Sequence, residues 1–575
     1  MNPHLASELA RFDPDPAIPL HALPHHTHHT WARTFHSRPE LYIQPHSLAE
    51  IQKTVTLARR CRRRIVVVGS GHCPSDITCT SAWMVNLDKY ASVLRVNAAS
   101  GAMLVQAGIR IHDLNLAAKE HGLTVPSLGS IDEQSIAGAI ATGTHGSSMR
   151  HGLLSQNVLS LRIVLANGAA VRCSPSQNAD LFRAALVSLG ALGVVVEVEY
   201  RMVPHANIHW AQRLVALDEV LSTWNADLWT RHEYTRVWWL PYTKRAVVWT
   251  ADKTASPPQT LRIESWYAGA VGYRTYHALL WLSHYIPRLL PAVEWFVFGM
   301  QYGFKLGGSG GDIEEQRTGL LMNCLYSQFV NEWALPLERG PEAISRLSAW
   351  LNHDDAASGI PFPSKGIWVH APIEVRVSGA PPPPDQRPFL DPSQPVGGTL
   401  YLNATLYRPY GLDPPCTQRY YAAFEYLMKE LGGRPHWAKN FATVSRADIE
   451  SMYGADLEKW RGVRAEVDPE GVFVGPWVRR TVIEEDAGRG APLACEEVEV
   501  GRVGRKEGGA QWVGRQGGFE RRGSAGSSVE SFEHMAGAEA EASGMLESRW
   551  EEDVEKRVRE GAREGVTGVR VFDKM

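Results

Sequence analysis

The amino-acid sequence predicts an α+β protein with two folded domains. At 575 residues the chain is too long for one ordinary hydrophobic core. Short apolar strands alternate with short helices as far as residue 203. After Pro204, alternating segments such as residues 236–240 and 246–250 predict a second, sheet-rich domain. We therefore divide the chain into an N-terminal arm (1–30), a first domain (31–203), a second domain (204–484) and a C-terminal tail (485–575).

Apolar periodicity places the elements of the first domain. Apolar residues recur at helical spacing from Leu48, and the basic run that ends at Arg64 suits the C-terminal end of a helix. Gly122 caps a second helix that begins at Ile111. A third helix is predicted at residues 179–188. The predicted strands lie at residues 65–68, 84–87, 103–107, 159–165, 170–173 and 194–200.

The composition excludes several classes of protein. A net charge of -3 gives no positive field that would attract nucleic acid. The seven cysteines lack paired metal-ligand spacing and suit a reducing compartment. Residues 1–24 lack the basic and apolar regions of a secretory signal peptide. The histidines of residues 25–29 have no cysteine or carboxylate beside them, so we predict a solvated arm and no metal site.

Three later segments stand apart from the two domain cores. The apolar residues 278–304 are interrupted by Pro287 and Pro291, so no run reaches the roughly 20 residues that span a bilayer. We expect a helical hairpin that is buried or lies at a membrane surface. Residues 381–395 predict a proline-rich exposed loop. From residue 485 glycine, glutamate and arginine dominate, so we expect a largely disordered tail.

A glycine-rich loop directly follows the strand predicted at residues 65–68. Its sequence is Gly69-Ser70-Gly71-His72-Cys73-Pro74-Ser75. Glycines allow a close backbone approach and expose amide donors that can cradle a phosphate. The loop lacks the third glycine of the nicotinamide-binding fingerprint, and Pro74 obstructs a helix that would follow at once. Taken alone, a plain structural turn explains this loop equally well.

A second glycine-rich segment, residues 128–146, combines small residues with hydroxyl groups. Such a segment allows a pyrophosphate to approach the backbone closely. A helix-packing segment would explain the glycines but not the clustered hydroxyls. The candidate contacts in this segment are Gly129, Ser130, Ser135, Gly138, Thr142, Thr144, His145 and Gly146.

Four motifs in this order resemble the flavin domain of the vanillyl-alcohol-oxidase family. The other two are residues 105–108, between the glycine-rich segments, and residues 190–195, after them. Within that family the chain is similar to the sugar-1,4-lactone oxidases, because it contains their hallmark sequence as His436-Trp437-Ala438-Lys439. The likeness covers roughly residues 31–480. It implies a two-domain FAD-binding fold in which the sheet of the second domain roofs the flavin.

The resemblance also implies roles for individual residues around the flavin. His72 matches the histidine that carries the flavin through a covalent bond to its 8α-methyl group, although a capping histidine beside a non-covalent flavin is the alternative. Gly193 and Val194 match contacts on the adenine or ribose side. Gly129 stands where related dehydrogenases place alanine, and a glycine there leaves room for molecular oxygen. An ordinary turn glycine is the alternative for Gly129.

Two charged residues of the second domain are candidate substrate contacts. Strand periodicity puts Glu374 and Arg376 on one face of residues 373–377. From these residues alone a surface salt bridge is the simpler explanation, but the resemblance matches them to the glutamate and arginine that bind substrate. The resemblance also places Lys439 at the flavin, with His436 nearby. Glu332 is either a further pocket acid or a partner of neighbouring backbone.

The resemblance therefore implies an FAD-dependent oxidase of an aldono-1,4-lactone that reduces oxygen to hydrogen peroxide. D-arabinono-1,4-lactone is the favoured substrate, and L-gulono-lactone, L-galactono-lactone and open-chain alditols are alternatives. A non-catalytic flavin-binding scaffold is a hypothesis of another class, but a scaffold has no need of Glu374, Arg376 or Lys439. The family likeness predicts association with the mitochondrial outer membrane or another membrane, and a cytoplasmic protein is the alternative.

Overall fold

The structure is a computed structural model. It describes residues 2–259, 266, 269–322, 324–370, 372–379, 381–483 and 501–502. The predicted disordered tail therefore lies outside the described residues, apart from Gly501 and Arg502.

Helices and short strands alternate along the described chain. The helices are α1 (Pro3–Phe12), α2 (Leu48–Arg60), α3 (Ile111–Lys119), α4 (Ile136–Ala141), α5 (Ala179–Ala185), α6 (Leu217–Thr223), α7 (Ala270–Tyr285), α8 (Leu290–Tyr302), α9 (Gln316–Leu320), α10 (Gly340–Leu351), α11 (Asp355–Ser358), α12 (Thr417–Glu430), α13 (Arg446–Val467) and α14 (Pro476–Thr481). The strands are β1 (Ala22–Leu23), β2 (His28–His29), β3 (Phe35–Ser37), β4 (Leu41–Ile43), β5 (Ile65–Val68), β6 (Trp83–Asn86), β7 (Val93–Asn97), β8 (Ala102–Gln106), β9 (Leu123–Thr124), β10 (Val158–Val164), β11 (Ala170–Cys173), β12 (Val194–Arg201), β13 (Val203–Pro204), β14 (Asn207–Ala216), β15 (Tyr234–Leu240), β16 (Arg245–Thr254), β17 (Gly307–Glu315), β18 (Gln328–Pro336), β19 (Ile373–Ser378), β20 (Thr399–Tyr407), β21 (Arg434–Pro435) and β22 (Gly501–Arg502).

Two sheets organise the first part of the chain. A four-stranded sheet has the order β1-β4-β6-β5, in which β4, β6 and β5 run parallel. A five-stranded antiparallel sheet has the order β11-β10-β12-β8-β7. Parallel strands are usually covered on both faces, which explains why β5 is a continuous apolar run and β6 is apolar as far as Val85. The first glycine-rich loop leaves the sheet at the end of β5.

An eight-stranded sheet dominates the second part of the chain. Its order is β17-β14-β16-β15-β19-β20-β18-β21, and its paired strands are antiparallel. Asn403 of β20 lies opposite Glu374 of β19 on one side and opposite Glu332 of β18 on the other. Residues that lie opposite one another point to the same face of a sheet. Three polar side chains therefore form a row across the middle of this sheet.

The predicted elements of the first domain agree closely with the structure. Strands β5 and β11 have the predicted bounds, and each end of the other predicted strands lies within one residue of the structure. The helices end earlier than predicted. In α2 the helix stops at Arg60 because Arg62 adopts a left-handed backbone conformation, with φ of 55°. The basic run that suited a helix end therefore continues past the helix itself.

The N-terminal arm contains structure that apolar periodicity did not predict. Helix α1 begins after Asn2, whose side chain accepts a hydrogen bond from the backbone N–H of His4. Leu5 of this helix is buried. Lys53 of α2 donates to Asp13 and to the carbonyl oxygens of two further arm residues, at 2.5 to 2.9 Å. The arm is therefore fixed to α2 by a buried ammonium group.

The last described helices return to the first domain. Helix α13 packs against α5, and α14 packs against the single 3₁₀-helical turn at residues 76–78. The N–H of Ile65 donates to the carbonyl oxygen of Val472 at 2.7 Å. The sequence grouped these residues with the second domain, whereas in the structure residues 446–483 complete the core beside β5. The boundary at residues 203 and 204 stays a prediction.

The apolar segment of the second part forms the predicted helical hairpin, as α7 and α8. Trp281, Tyr285 and Trp295 of this hairpin are exposed, as is Phe304 just after it. No helix among the described residues is both long and apolar enough to span a membrane. The segment is therefore a hairpin with an exposed apolar face.

The prediction that residues 381–395 form an exposed loop is only half right. Residues 387–394 are buried, and their polar groups have partners there. Arg387 forms an ion pair with Asp391 at 2.9 Å, and the indole N–H of Trp437 donates to the carbonyl oxygen of Leu390 at 2.8 Å. A proline-rich composition did not reveal these buried polar partners.

Candidate cofactor and substrate site

Two clefts lie side by side, one among the glycine-rich loops and the other between the second glycine-rich segment and the large sheet. We call the first, of about 1070 Å³, the cofactor cleft, and the second, of about 1040 Å³, the substrate cavity. His72 and Gln134 line both of them. An elongated ligand that fills the cofactor cleft would therefore pass His72 as it enters the substrate cavity.

The cofactor cleft is built where the two glycine-rich segments meet. A methyl group on Gly69 would lie 2.2 Å from Oγ of Ser135, so only glycine allows this approach. Gly71 has φ of 68°, a left-handed conformation that favours glycine. Ser135 is the N-cap of α4, and its hydroxyl accepts a hydrogen bond from the N–H of Gly138 at 3.3 Å. The two segments that the sequence paired are thus in contact.

The predicted cofactor contacts divide between the two clefts. Lining the cofactor cleft are Gly69, Ser70, Gly71, His72, Cys73, Ser135, Gly138, Thr142 and Gly193. Lining the substrate cavity are His72, Gly129, Ser130, Thr144 and His145. This division suits a dinucleotide whose phosphates lie in one cleft and whose reactive ring reaches the other.

Three predicted cofactor contacts line neither cleft. Ser75 is buried and donates its hydroxyl to the carbonyl oxygen of Ala438, at 3.1 Å. A methyl group on Gly146 would lie 2.1 Å from Oγ of Ser127, so this glycine serves close packing. Val194 is fully buried, and strand alternation turns Val195 to the cleft in its place.

His72 is half-buried and has one buried nitrogen, Nδ1, without a hydrogen-bond partner among the described residues. Burial lowers the pKa of His72 to about 4, with a smaller contribution from the charges of Arg110 and Lys439. Its imidazole is therefore neutral at neutral pH, with a nitrogen lone pair available. These properties fit a histidine that binds an electrophilic carbon of a cofactor.

The charged residues predicted in the second domain meet at the substrate cavity. Glu374 and Arg376 line it and are buried, so they do not form the surface salt bridge that the residues alone suggested. Nε of Arg376 lies 3.3 Å from Oε2 of Glu374. Oε1 of Glu374 is buried without a hydrogen-bond partner in the described structure. Glu374 thus has an acceptor free for a ligand hydroxyl.

Glu332 is the centre of this cluster. Its Oε1 accepts from Nη2 of Arg376 at 2.9 Å, and its Oε2 lies 3.5 Å from Nζ of Lys439. Burial acts to raise the pKa of Glu332, but Arg376 and Lys439 outweigh it and hold the pKa well below its usual range. Glu332 is therefore a carboxylate that neutralises cations at the cavity wall. The sequence left its role open, since an isolated acid in an apolar strand has no diagnostic spacing.

His436 and His145 lie beside Glu332. The N–H of Ala438 donates to Nδ1 of His436 at 3.1 Å, so the proton of this neutral ring is on Nε2. Burial holds the pKa of His436 well below its usual range. Nε2 of His145 lies 3.0 Å from Oε1 of Glu332, and its ring stacks on Tyr401. His436 can therefore donate a hydrogen bond but is a poor proton acceptor.

The two histidines and Glu332 also bring ligand atoms within 4.8 Å of one another. Such a group can hold a metal ion in other proteins. Here the carboxylate of Glu332 already forms ion pairs with Arg376 and Lys439, and the positive charges of these two residues repel a cation at this position. The arrangement therefore favours a polar substrate over a metal.

Sequence reasoning missed several residues of the two clefts. Lining the substrate cavity at alternate positions of β20 are Asn403, Thr405 and Tyr407. Their two-residue spacing, which is typical of one face of a strand, is the sequence signal that could have identified them. Trp31 also lines this cavity, and Phe473 and Gly475 line the cofactor cleft. Phe473 and Gly475 are distant in sequence from both glycine-rich segments, so only the fold brings them to the cleft.

Comparison with known proteins identifies the family. A family model described as D-arabinono-1,4-lactone oxidase matches residues 198–481, and one described as FAD binding domain matches residues 39–174. A relative from Neurospora crassa is 50% identical, over 86% of this chain and 93% of its own length. The D-arabinono-1,4-lactone oxidase of Yarrowia lipolytica is 41% identical, over 78% of this chain and 95% of its own. The enzyme of that name from Saccharomyces cerevisiae is 36% identical, over 77% and 94%.

Solved structures show the same fold at low identity. A crystal structure of cholesterol oxidase from Brevibacterium sterolicum superposes with a TM-score of 0.69 at 14% identity, covering 82% of this chain and 99% of that chain. At that identity the likeness concerns the fold alone. The predicted α+β, two-domain FAD-binding fold is confirmed. Together with the relatives, these matches show that the chain belongs to the D-arabinono-1,4-lactone oxidase family of FAD-dependent oxidoreductases.

Proposed function

We propose that this protein oxidises an aldono-1,4-lactone, with D-arabinono-1,4-lactone as the favoured substrate. The observation that carries the proposal is the meeting of Glu374, Arg376 and Lys439 in a cavity that shares His72 with the cofactor cleft. When bound, FAD supplies the hydride acceptor and passes the electrons to oxygen, which forms hydrogen peroxide. The names of the yeast relatives support the choice of lactone.

The residues of the cofactor cleft suit a dinucleotide. Residues 69–72, Ser135 and Thr142 line it, and their backbone amides and hydroxyl groups are the candidate contacts. Such groups bind a pyrophosphate at a close approach. Helix α4 is too short to bind an anion by itself, so the glycine loop and the hydroxyl groups carry this role.

The substrate cavity suits a neutral polyhydroxylated ring. The free Oε1 of Glu374 accepts a substrate hydroxyl, and the Nε2 proton of His436 is available to a lactone oxygen. The lactone C2 hydrogen leaves as hydride, and the proton of its hydroxyl leaves to solvent through the open cavity. Arg376 and Lys439 stabilise negative charge that grows during this transfer, because their positions are set in advance by Glu332.

We further propose that His72 carries the FAD covalently. Its neutral imidazole forms a bond to the 8α-carbon of the flavin, with loss of the imidazole proton and of one methyl hydrogen. Both hydrogens and the electron pair finally pass to one molecule of oxygen, which leaves as hydrogen peroxide. The unpartnered Nδ1 of His72 and its place between the two clefts support this proposal. Such a tether also tunes the electronic properties of the cofactor.

An anaerobic substrate panel tests the main proposal. The purified protein is mixed with D-arabinono-1,4-lactone, L-gulono-lactone, L-galactono-lactone and an alditol while flavin absorbance is followed. The first lactone is expected to bleach the flavin fastest, and admission of air should then yield hydrogen peroxide. If none of these compounds bleaches the bound flavin, the lactone oxidase proposal fails and the result supports a non-catalytic flavin-binding scaffold.

We also propose that the hairpin of α7 and α8 rests on a membrane surface, in keeping with a location at the mitochondrial outer membrane. Nine of the seventeen exposed large apolar side chains among the described residues lie at residues 271–306. Trp281 and Trp295 are among them, and tryptophan favours the interface of a bilayer. Arg274 and Arg288 are exposed on the same hairpin and suit anionic lipid headgroups.

Vesicle sedimentation tests the membrane proposal. Wild-type protein is expected to sediment with vesicles that contain anionic lipid, whereas a Trp281→Ser and Trp295→Ser double variant should remain in the supernatant. Phe362→Ser, at an exposed apolar residue outside the hairpin, is the matched control and should sediment like the wild type. Equal sedimentation of the double variant would refute a role for this hairpin.

A further inference from the structure

The turn between β2 and β3 connects the cofactor loop with the large sheet. On one side, the N–H of Trp31 donates to the carbonyl oxygen of Gly71 at 2.7 Å, and Oγ1 of Thr34 donates to the carbonyl oxygen of Pro74 at 2.5 Å. Thr30 and Thr34 are almost completely buried. The turn is thus fixed to the glycine-rich loop at Gly71 and Pro74, on either side of His72.

The other side of the turn is held by the second part of the chain. Oγ of Ser327 donates to the carbonyl oxygen of Ala32 at 2.6 Å. Nη1 of Arg408 donates to the carbonyl oxygen of Arg33 at 2.8 Å. Arg33 has a left-handed φ of 51°, which reverses the chain direction in this short space. The backbone of Trp31 therefore has a fixed position between the two parts of the protein.

The indole of Trp31 lies over the ring of His72. The two ring centroids are 5.3 Å apart, with 29° between the planes. Trp31 lines the substrate cavity and is 38% exposed, whereas His72 is half-buried and its Nδ1 atom is buried. One face of the indole thus meets solvent while the other faces the imidazole. The indole therefore covers part of the imidazole, whose Nδ1 is buried without a hydrogen-bond partner in the described structure.

We propose that Trp31 covers the attachment point of the cofactor, by holding the imidazole plane of His72 and excluding water from it. This inference rests on the proposed attachment of FAD to His72 and extends it to a second residue. A nucleophile that is prealigned and dry reacts faster than one that must lose water and rotate. The indole also closes the path by which an unattached flavin ring would leave the cavity.

Reconstitution of flavin-free protein with FAD tests this role. Covalent incorporation is followed over time by flavin fluorescence on denaturing gels for the wild type, Trp31→Phe and Trp31→Ala. Trp31→Ala is expected to slow incorporation about tenfold or more, since small losses of alignment lower reaction rates strongly. Trp31→Phe, which keeps a covering ring, should restore most of the rate. Phe362→Ala, at an exposed aromatic residue outside both clefts and outside the hairpin, is the matched control and should incorporate FAD at the wild-type rate.

A second readout separates this inference from the proposal on which it rests. If wild-type protein holds FAD without a covalent bond, the attachment proposal fails, and the rate of FAD release on a desalting column then decides the role of Trp31. Faster release of FAD from Trp31→Ala than from Trp31→Phe would support the proposal that Trp31 covers the cofactor at His72. Incorporation and release in Trp31→Ala at the wild-type rates would overturn it, provided that circular dichroism shows a folded protein.

Discussion

Replacement of Arg376 by alanine should slow flavin reduction far more than it weakens lactone binding. Arg376 is 5% exposed and its Nη2 lies 2.9 Å from Oε1 of Glu332, so its charge is held in place before substrate arrives. Loss of one such preorganised group typically lowers the rate about 10²- to 10³-fold, or about 2.7 to 4 kcal/mol. The buried site favours the upper part of this range, because little water is present to replace the lost charge.

Rapid mixing without oxygen measures this effect. The rate of flavin bleaching is recorded across lactone concentrations, which separates the limiting rate from the apparent Kd. Arg376→Ala should reduce the limiting rate, whereas Glu374→Ala should chiefly raise the apparent Kd. Glu374 contacts a hydroxyl that is already present in the ground state, so its loss costs binding rather than selective transition-state stabilisation.

A matched variant controls for the loss of a buried ion pair. Removal of one partner from such a pair costs about 3 to 5 kcal/mol of stability in typical proteins. Arg387 is 8% exposed and pairs with Asp391 at 2.9 Å, outside the residues that line the substrate cavity. Arg387→Ala should therefore lower stability but keep the limiting rate. A wild-type limiting rate in Arg376→Ala would refute the catalytic role and leave only a structural ion pair.

Three further predictions concern other parts of the molecule. His72→Ala should release its flavin into the supernatant on acid precipitation, whereas wild-type protein should keep yellow fluorescence on a denaturing gel; loss of all flavin from the wild type would contradict the tether. Gly129→Ala should slow reoxidation by oxygen and leave anaerobic reduction nearly intact, because the added methyl lies only 3.2 Å from Cγ2 of Thr144 and narrows the cavity wall; equal reoxidation rates in stopped-flow absorbance would remove Gly129 from the oxygen path. Burial raises the pKa of Glu294 to about 7, so its contribution to stability is complete below about pH 4.5 and is lost as the pH rises through 7; urea unfolding at pH 5 and pH 8 should show a larger loss for the wild type than for Glu294→Gln, and equal losses would argue against a buried carboxyl group that ionises.

The local elements of the fold were predictable because their signals are local. An apolar run that ends at Val68 predicted the bounds of β5 and the loop that follows it. The resemblance, and not the spacing of small residues, assigned both glycine-rich segments to one flavin domain. The face shared by Glu374 and Arg376 followed from strand periodicity. Their burial did not, because burial depends on which strands lie beside β19.

The rest of the site depends on contacts that are distant in sequence. Glu332 becomes the centre of the charged cluster only because β18 lies beside β20 and the segment with Lys439 returns to it. Trp31 reaches His72 through a turn whose anchors, Ser327 and Arg408, belong to the other part of the chain. Hydrophobic periodicity and sequence motifs do not predict contacts between residues that are so far apart in the sequence.

The return of the last described helices to the first domain sets an order of events in the life of the protein. Phe473, Gly475 and Val478 form part of the cofactor cleft, and Val472 closes the edge of the strand that leads to His72. A ribosome must therefore release nearly all of the folded region before this cleft has its full wall. Cofactor loading therefore becomes a step that follows synthesis of residues 472–478, and a chain that carries its flavin is one in which this late segment has already packed beside β5.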